Sequence, residues 1–181
     1  MCAAAIAFRD RLEATKRATP LDGRAWYPYG TLNNFFVLDA LLKGADRDLL
    51  ALIGGGPAVD IGAADGDTAF FLESLGVPMH VVDYPPTNYN GCHGVRALKA
   101  ALGSSVEILE TDLDRQFELP GKRYSFAFFL GILYHLKNPF GALEALAAHA
   151  QHAVISTRIA RFNLPQTGQR GKDGVNAERI G

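Results

Sequence analysis

Apolar residues recur along the chain with two different periods, and the change of period divides it. Over residues 1–53 the spacing is helical. Leu12 follows Phe8 at i+4, and Arg9, Asp10, Glu13 and Lys16 are assigned to the other faces of this first helix. After Pro20 an aromatic run, Trp26-Tyr27-Pro28-Tyr29-Gly30, reads as a loop. Thr31 is expected to cap a second helix carrying Leu32, Phe35, Phe36, Leu38, Leu41 and Leu42, with Gly44 as its stop. Asp46 to Ile53 reads as one more short helix, broken by Gly54-Gly55-Gly56-Pro57.

Over residues 54–160 short apolar runs alternate with helical patterns. Strands are predicted at Ala58–Ile61, Met79–Val82 with Asp83 at its end, Val106–Leu109, Tyr124–Leu130 and Ala153–Thr157. The helices between them carry Phe70, Phe71, Leu72 and Leu75, then Val95, Leu98 and Leu102, then Leu143, Leu146 and Ala150. Tyr124–Leu130 is almost continuously apolar, as a parallel strand covered on both faces should be. The alternation predicts an α/β fold: a Rossmann-like, doubly wound parallel sheet of about five strands behind an N-terminal helical extension. Residues 161–181 are polar and glycine-rich and read as a flexible, solvated tail.

Composition narrows the functions. Lys+Arg number 18 and Asp+Glu 19, a net charge of -1, so no dominant electrostatic grip on nucleic acid is expected. No apolar run reaches the roughly 20 residues that cross a bilayer, and the apolar opening Cys2–Phe8 reads as the start of a helix and not a signal peptide. Cys2 and Cys92 are too few for a disulfide scaffold and lack zinc spacing, which makes a reducing cytoplasm the default location. His80, His93, His149 and His152 have no carboxylate at ligand spacing, so no metal is expected.

The informative segment is Val59-Asp60-Ile61-Gly62-Ala63-Ala64-Asp65-Gly66, between a predicted strand and a predicted helix. Small residues at 62, 63, 64 and 66 let a ligand approach the backbone. A dinucleotide site would show G-x-G-x-x-G, but Ala64 and Asp67 stand at its second and third glycines. The carboxylates of Asp60 and Asp65 would repel a pyrophosphate and suit a cation. A helix cap for either, and an Asx turn for Asp83 or Asp112, are the alternatives. Asp60, Gly62 and Gly66 resemble motif I of class I S-adenosylmethionine-dependent methyltransferases, D/E-x-G-x-G-x-G, with Ala64 for the middle glycine. The resemblance extends over residues 58–158. It implies S-adenosyl-L-methionine as the cofactor, held at Asp60, Gly62, Ala63, Ala64, Asp65 and Gly66. Asp83, 17 residues after Gly66, is placed on the ribose diol with Tyr84 beside it. Asp112 falls at the adenine amine, Leu113 against the ring, and Leu130 and Gly131 across the cleft. It also implies the strand order 3-2-1-4-5, without the C-terminal strand hairpin of the full fold, and with an exposed fifth strand through which copies could associate.

The fourth strand runs into Gly131-Ile132-Leu133-Tyr134-His135, then Pro139 and Leu143, which looks most like the branch containing tRNA wobble-uridine carboxymethyltransferases. In such a sheet ligands collect where the strand order reverses, between strands one and four. Methyl transfer needs alignment, exclusion of water and in some cases a base. His135 and Tyr134 are the titratable pair at that mouth and the candidate catalytic residues; packing beneath the helix at 140–150 is their alternative. Trp26, Tyr27 and Tyr29 are expected either as a lid over the acceptor or as staples between helices. The expected activity is methyl transfer to a small molecule or nucleoside. The other readings are a protein that binds the cofactor without turnover, a tRNA-modifying relative, and a nicotinamide-dependent oxidoreductase.

Overall fold

The computed structural model describes residues 1–115, 119 and 123–158, apart from the side chains of 45 and 46. The predicted tail at 161–181 lies outside these residues, as does the question of a C-terminal hairpin. Five strands form one parallel sheet: β1 Ala58–Ile61, β2 Met79–Asp83, β3 Glu107–Glu110, β4 Tyr124–Leu130 and β5 Ala150–Ser156, in the order β3-β2-β1-β4-β5. The expected α/β class, strand number and order are therefore observed. β1 pairs β2 on one side and β4 on the other, with Ile61 level with Val82 and Phe129. The loops after β1 and β4 thus leave the sheet side by side, at the point of reversal.

Helices cover both faces, which is why the central strands are apolar at nearly every position. Phe126 and Phe128 point into one core with Phe70, Phe71, Val95 and Leu98 from α4 (Asp67–Ser74) and α5 (His93–Leu102). Val59, Ile61, Ala127 and Phe129 point into the other, against Ala142 and Leu146 of α6 (Pro139–His149). The N-terminal helices α1 (Cys2–Ala18) and α2 (Asn34–Leu41) belong to the first core. Phe35 meets Phe71 edge-on at 4.8 Å between ring centroids and Phe8 lies 5.5 Å from Phe71, so the N-terminal segment and the sheet share one apolar interior.

Four local expectations change. Lys16 lies on the buried stripe of α1 with Ala5, Phe8 and Leu12, and not on an outer face. Thr31 does not cap α2; it begins a 3₁₀ turn, Thr31–Asn33, ahead of the helix. The short helix α3 is Leu49–Ile53 with Asp48 as its cap, accepting from the Leu50 and Ala51 amides. β5 starts at Ala150 and not at Ala153, because Ala150 already pairs with Tyr124 as α6 ends. Tertiary pairing overrides the helical preference of alanine there. Among the described strands β5 pairs only with β4 and forms an edge.

Candidate functional site

The turn after β1 is built by close approach. Gly62 has φ +71° and its amide donates to the Val82 carbonyl at 2.8 Å. A side chain at that position would run into Ile132, from the loop after β4, so the two loops touch through the missing Cβ. Ala64 also sits in the left-handed region, at φ +54°, and its amide donates to Asp83 Oδ2 at 2.9 Å. Left-handed backbone costs a non-glycine residue about 1–2 kcal/mol, and glycine loses about 0.5–1 kcal/mol more entropy on folding. Ala64→Gly is therefore expected to raise the unfolding free energy by about 0.5–1 kcal/mol, read as a higher urea midpoint at constant m value.

Between the turn and the loops after β2, β3 and β4 lies a cleft of about 510 Å³. That is within the about 300–1,000 Å³ of small-molecule sites. Gly62 and Ala64 from the turn after β1, Leu130 and Gly131 from the end of β4, and Asp83, Tyr84, Asp112 and Leu113 from the ends of β2 and β3 all line it. Asp83 accepts from the Ala64 amide, from Asn88 Nδ2 at 2.9 Å and from the Tyr84 amide at 2.8 Å. Burial raises its pKa even so, against those three bonds. Asp112 forms an Asx turn, accepting from the Asp114 amide at 3.1 Å, and still faces the cleft. Asp112 thus combines an Asx turn with cleft lining, whereas Asp83 forms none, since Pro85 has no amide hydrogen to give it.

Asp60, Ala63, Asp65 and Gly66 lie behind the turn and do not line the cleft. Asp60 is buried against α4, where it accepts from the Ala69 amide. Burial, with Asp83 and Asp67 nearby, pushes its pKa up to about 8. Asp65 faces the N-terminal segment. It accepts from the Tyr27 amide at 2.7 Å and from Asn90 Nδ2 at 2.8 Å, and Lys16 Nζ is 3.7 Å away. Lys16 also donates to Asp67 Oδ2 at 2.9 Å, with all three side chains buried. The carboxylates that line the cleft are thus those of Asp83, Asp112 and Asp114, while Asp65 acts on Tyr27 and Asp83 from behind the turn.

This Lys16 cluster explains how the aromatic loop reaches the site. Trp26 is the staple: its Nε1 donates to the Lys16 carbonyl at 3.1 Å and Lys16 Nζ lies 5.7 Å from its ring centroid. Tyr27 and Tyr29 line the cleft, as do Tyr134 and His135 of the 3₁₀ turn Leu133–His135. Tyr134 and His135 are exposed side by side, their ring centroids 4.2 Å apart, and do not pack beneath α6. Lys16, Asn88, Asn90 and Tyr89 were not singled out by the sequence reading. The i, i+4 step from Leu12 to Lys16 was the available signal for the first; the others sit in a turn-rich stretch with no periodicity. Among the described residues no group of three or more His, Cys, Asp or Glu is arranged to hold a metal.

No family model and no curated protein matches the chain. Solved structures do. TehB from Haemophilus influenzae superposes with TM-score 0.52 at 16% identity, over 67% of this chain and 38% of that one. EvdMO1 gives TM-score 0.53 at 18% identity, over 82% of this chain and 34% of that one. Its N-terminal domain, solved with S-adenosylhomocysteine bound, gives 0.50 at 18% identity, over 77% of this chain and 62% of that one. The chain has a Rossmann-like methyltransferase fold. The matched part is about a third of whole EvdMO1 and of TehB, so the likeness concerns the sheet and its helices. Among the described residues no helix is long and apolar enough to cross a membrane.

Proposed function

We propose that the chain is an S-adenosylmethionine-dependent methyltransferase whose acceptor is a small molecule or nucleoside. One observation carries the reading: the turn after β1, the acids after β2 and β3 and the end of β4 line a single cleft at the reversal of the sheet. The residues fit the cofactor. Gly131 leaves its part of the cleft wall open, Asp83 and Asp112 offer carboxylate acceptors, and Leu113 and Leu130 offer apolar contact. When bound, S-adenosylmethionine supplies a methyl group on a sulfonium: the S–CH₃ bond breaks as the acceptor–CH₃ bond forms, its electron pair goes to sulfur, and the acceptor loses a proton.

The chain's own residues then have three tasks. Asp83 orients the ligand with an acceptor lone pair not used by its three internal bonds, or in exchange for the Asn88 bond. Tyr27, Tyr29 and Ile132 narrow the cleft and exclude water. His135 takes the acceptor proton, with Tyr134 fixing the imidazole plane from beside it. The reading stops short of carboxymethyl transfer to a wobble uridine. Among the described residues no Lys or Arg lines the cleft to meet a carboxylated cofactor or a phosphate backbone.

Isothermal titration with S-adenosylmethionine and S-adenosylhomocysteine tests this. Saturable heat is expected, and silence from protein with an intact cooperative melt would reject it, as would heat with NADH alone. Asp83→Ala is expected to weaken binding by about 1.5–3 kcal/mol, the range for hydrogen bonds to charged groups, while retaining a cooperative melt.

A further inference from the structure

The cleft carries several open aromatic side chains. Tyr29 is 69% exposed, Tyr89 56% and Tyr134 41%, yet all three line the same concavity. Tyr27 sits among them, meeting Tyr29 edge-on at 5.4 Å and Tyr89 edge-on at 5.7 Å between centroids. Its backbone is anchored to the buried Asp65, so the group is held from beneath. Burial first, then Tyr134, Tyr29, Asp65 and Asp83, hold the Tyr27 phenol above its ordinary pKa and keep it neutral.

The charged side chains lining the cleft are acidic, and two arginines lie against that lining, Arg115 with its Nε 3.9 Å from Asp112 Oδ2 and Arg158 beside Tyr134. Asp83, Asp112 and Asp114 line the cleft, and among the described residues no Lys or Arg does. Carboxylates gathered in one cleft favour cations and disfavour anions. Ring faces add to it, because their quadrupole is negative above and below the plane. The chain itself uses one of them this way: the Arg158 guanidinium lies 5.1 Å from the Tyr134 ring centroid.

From these observations we infer that the methyl acceptor is a planar aromatic compound, neutral or cationic and without phosphate or carboxylate, held among Tyr27, Tyr29, Tyr89 and Tyr134. The inference rests on the methyltransferase reading and names its substrate class. It separates free aromatic amines, amides and nucleosides from nucleotides, polynucleotides and aromatic acids. A bare pocket of aliphatic side chains would make no such distinction.

The test is a ligand-observed NMR titration of protein saturated with S-adenosylhomocysteine, using matched probes: phenethylamine, phenylacetamide, phenylacetate and cyclohexylethylamine. Binding is expected for the first two and not for the carboxylate or the cycloalkyl amine. The double variant Tyr29→Leu/Tyr89→Leu should weaken it about tenfold, as loss of two ring contacts implies. Both side chains are largely exposed, so the variant should fold. Equal binding of all four probes, no binding of the aromatic pair, or binding that survives the double substitution would overturn the inference. Heat on adding S-adenosylhomocysteine to the same sample separates the cases. If that heat is absent the methyltransferase reading has failed; if it is present and the probes fail, only the acceptor class has.

Discussion

Lys16→Met is expected to lower folding stability by about 3–5 kcal/mol, the cost of leaving a buried carboxylate without its partner. Lys16 is 6% exposed and lies 2.9 Å from Asp67 Oδ2 and 3.7 Å from Asp65 Oδ2, while Asp67 Oδ1 has no hydrogen-bond partner among the described residues. Asp67 is the more vulnerable acid, because Asp65 keeps its bonds from the Tyr27 amide and Asn90. Burial already raises the Asp67 pKa although Lys16 opposes it. Removing the cation raises it further. The native state of the variant then holds a proton that the unfolded chain releases, and its stability falls as pH rises. The deficit against wild type should accordingly be larger at pH 8 than at pH 5.

Urea unfolding of four proteins checks the claim: wild type, Lys16→Met, Asp67→Asn and the double variant. Neutralising Asp67 removes the stranded charge, so the double variant should recover part of the loss and the cycle should give a non-zero coupling energy. A loss under about 1 kcal/mol for Lys16→Met, the scale of an exposed pair, would contradict the buried bridge. Because the same cluster holds the Tyr27 amide, the single variant should also loosen the tyrosine wall of the cleft before global unfolding. Protection of the Tyr27 amide from hydrogen exchange reports this directly.

The part of the molecule legible in the sequence is the part governed by period. Strands buried on both faces announce themselves as continuous apolar runs, and β4 and β1 were readable for that reason. The cleft residues on strand ends were readable too, since an acid after a short apolar run has few other places to go: Asp83 and Asp112 both face the cleft. The acids of the turn were not. Whether Asp60 or Asp65 points at a ligand or away from it depends on what covers the back of the turn. For Asp65 that cover is α1 through Lys16, 40 or more residues earlier in the chain, and for Asp60 it is α4 through the Ala69 amide. Lys16 illustrates the difficulty. Its type argues for a solvated face, while its step from Leu12 argues for the buried one, and only the two carboxylates beneath it decide. Of the tyrosine wall, Tyr27, Tyr29 and Tyr134 are candidates on sequence grounds and only Tyr89 escapes, because it lies in the turn-rich stretch after β2, which has no period.

Asp60 gives the second large effect, and its sign follows from linkage. Burial, together with Asp83 and Asp67, raises its pKa from 3.8 to about 8, against the bond from the Ala69 amide. The native state therefore binds more protons than the unfolded chain between those values. Stability from this group is fully present below pH 4, declines as pH rises, and is lost above pH 8. The loss is on the order of a few kcal/mol, each pKa unit being worth about 1.4 kcal/mol. Asp60→Asn replaces a neutral acid with a neutral amide of the same shape that can still accept from Ala69. Its stability should match wild type near pH 4, show a flatter dependence up to pH 8, and exceed wild type by a few kcal/mol there. Asp83 and Asp67, both raised by burial, keep a residual slope in the variant. Urea unfolding at intervals from pH 4 to pH 9 resolves the two curves; parallel curves would mean that Asp60 is ionised in the native state at neutral pH. In that event the charge behind the turn, and not only the acids in the cleft, would act on a bound cation.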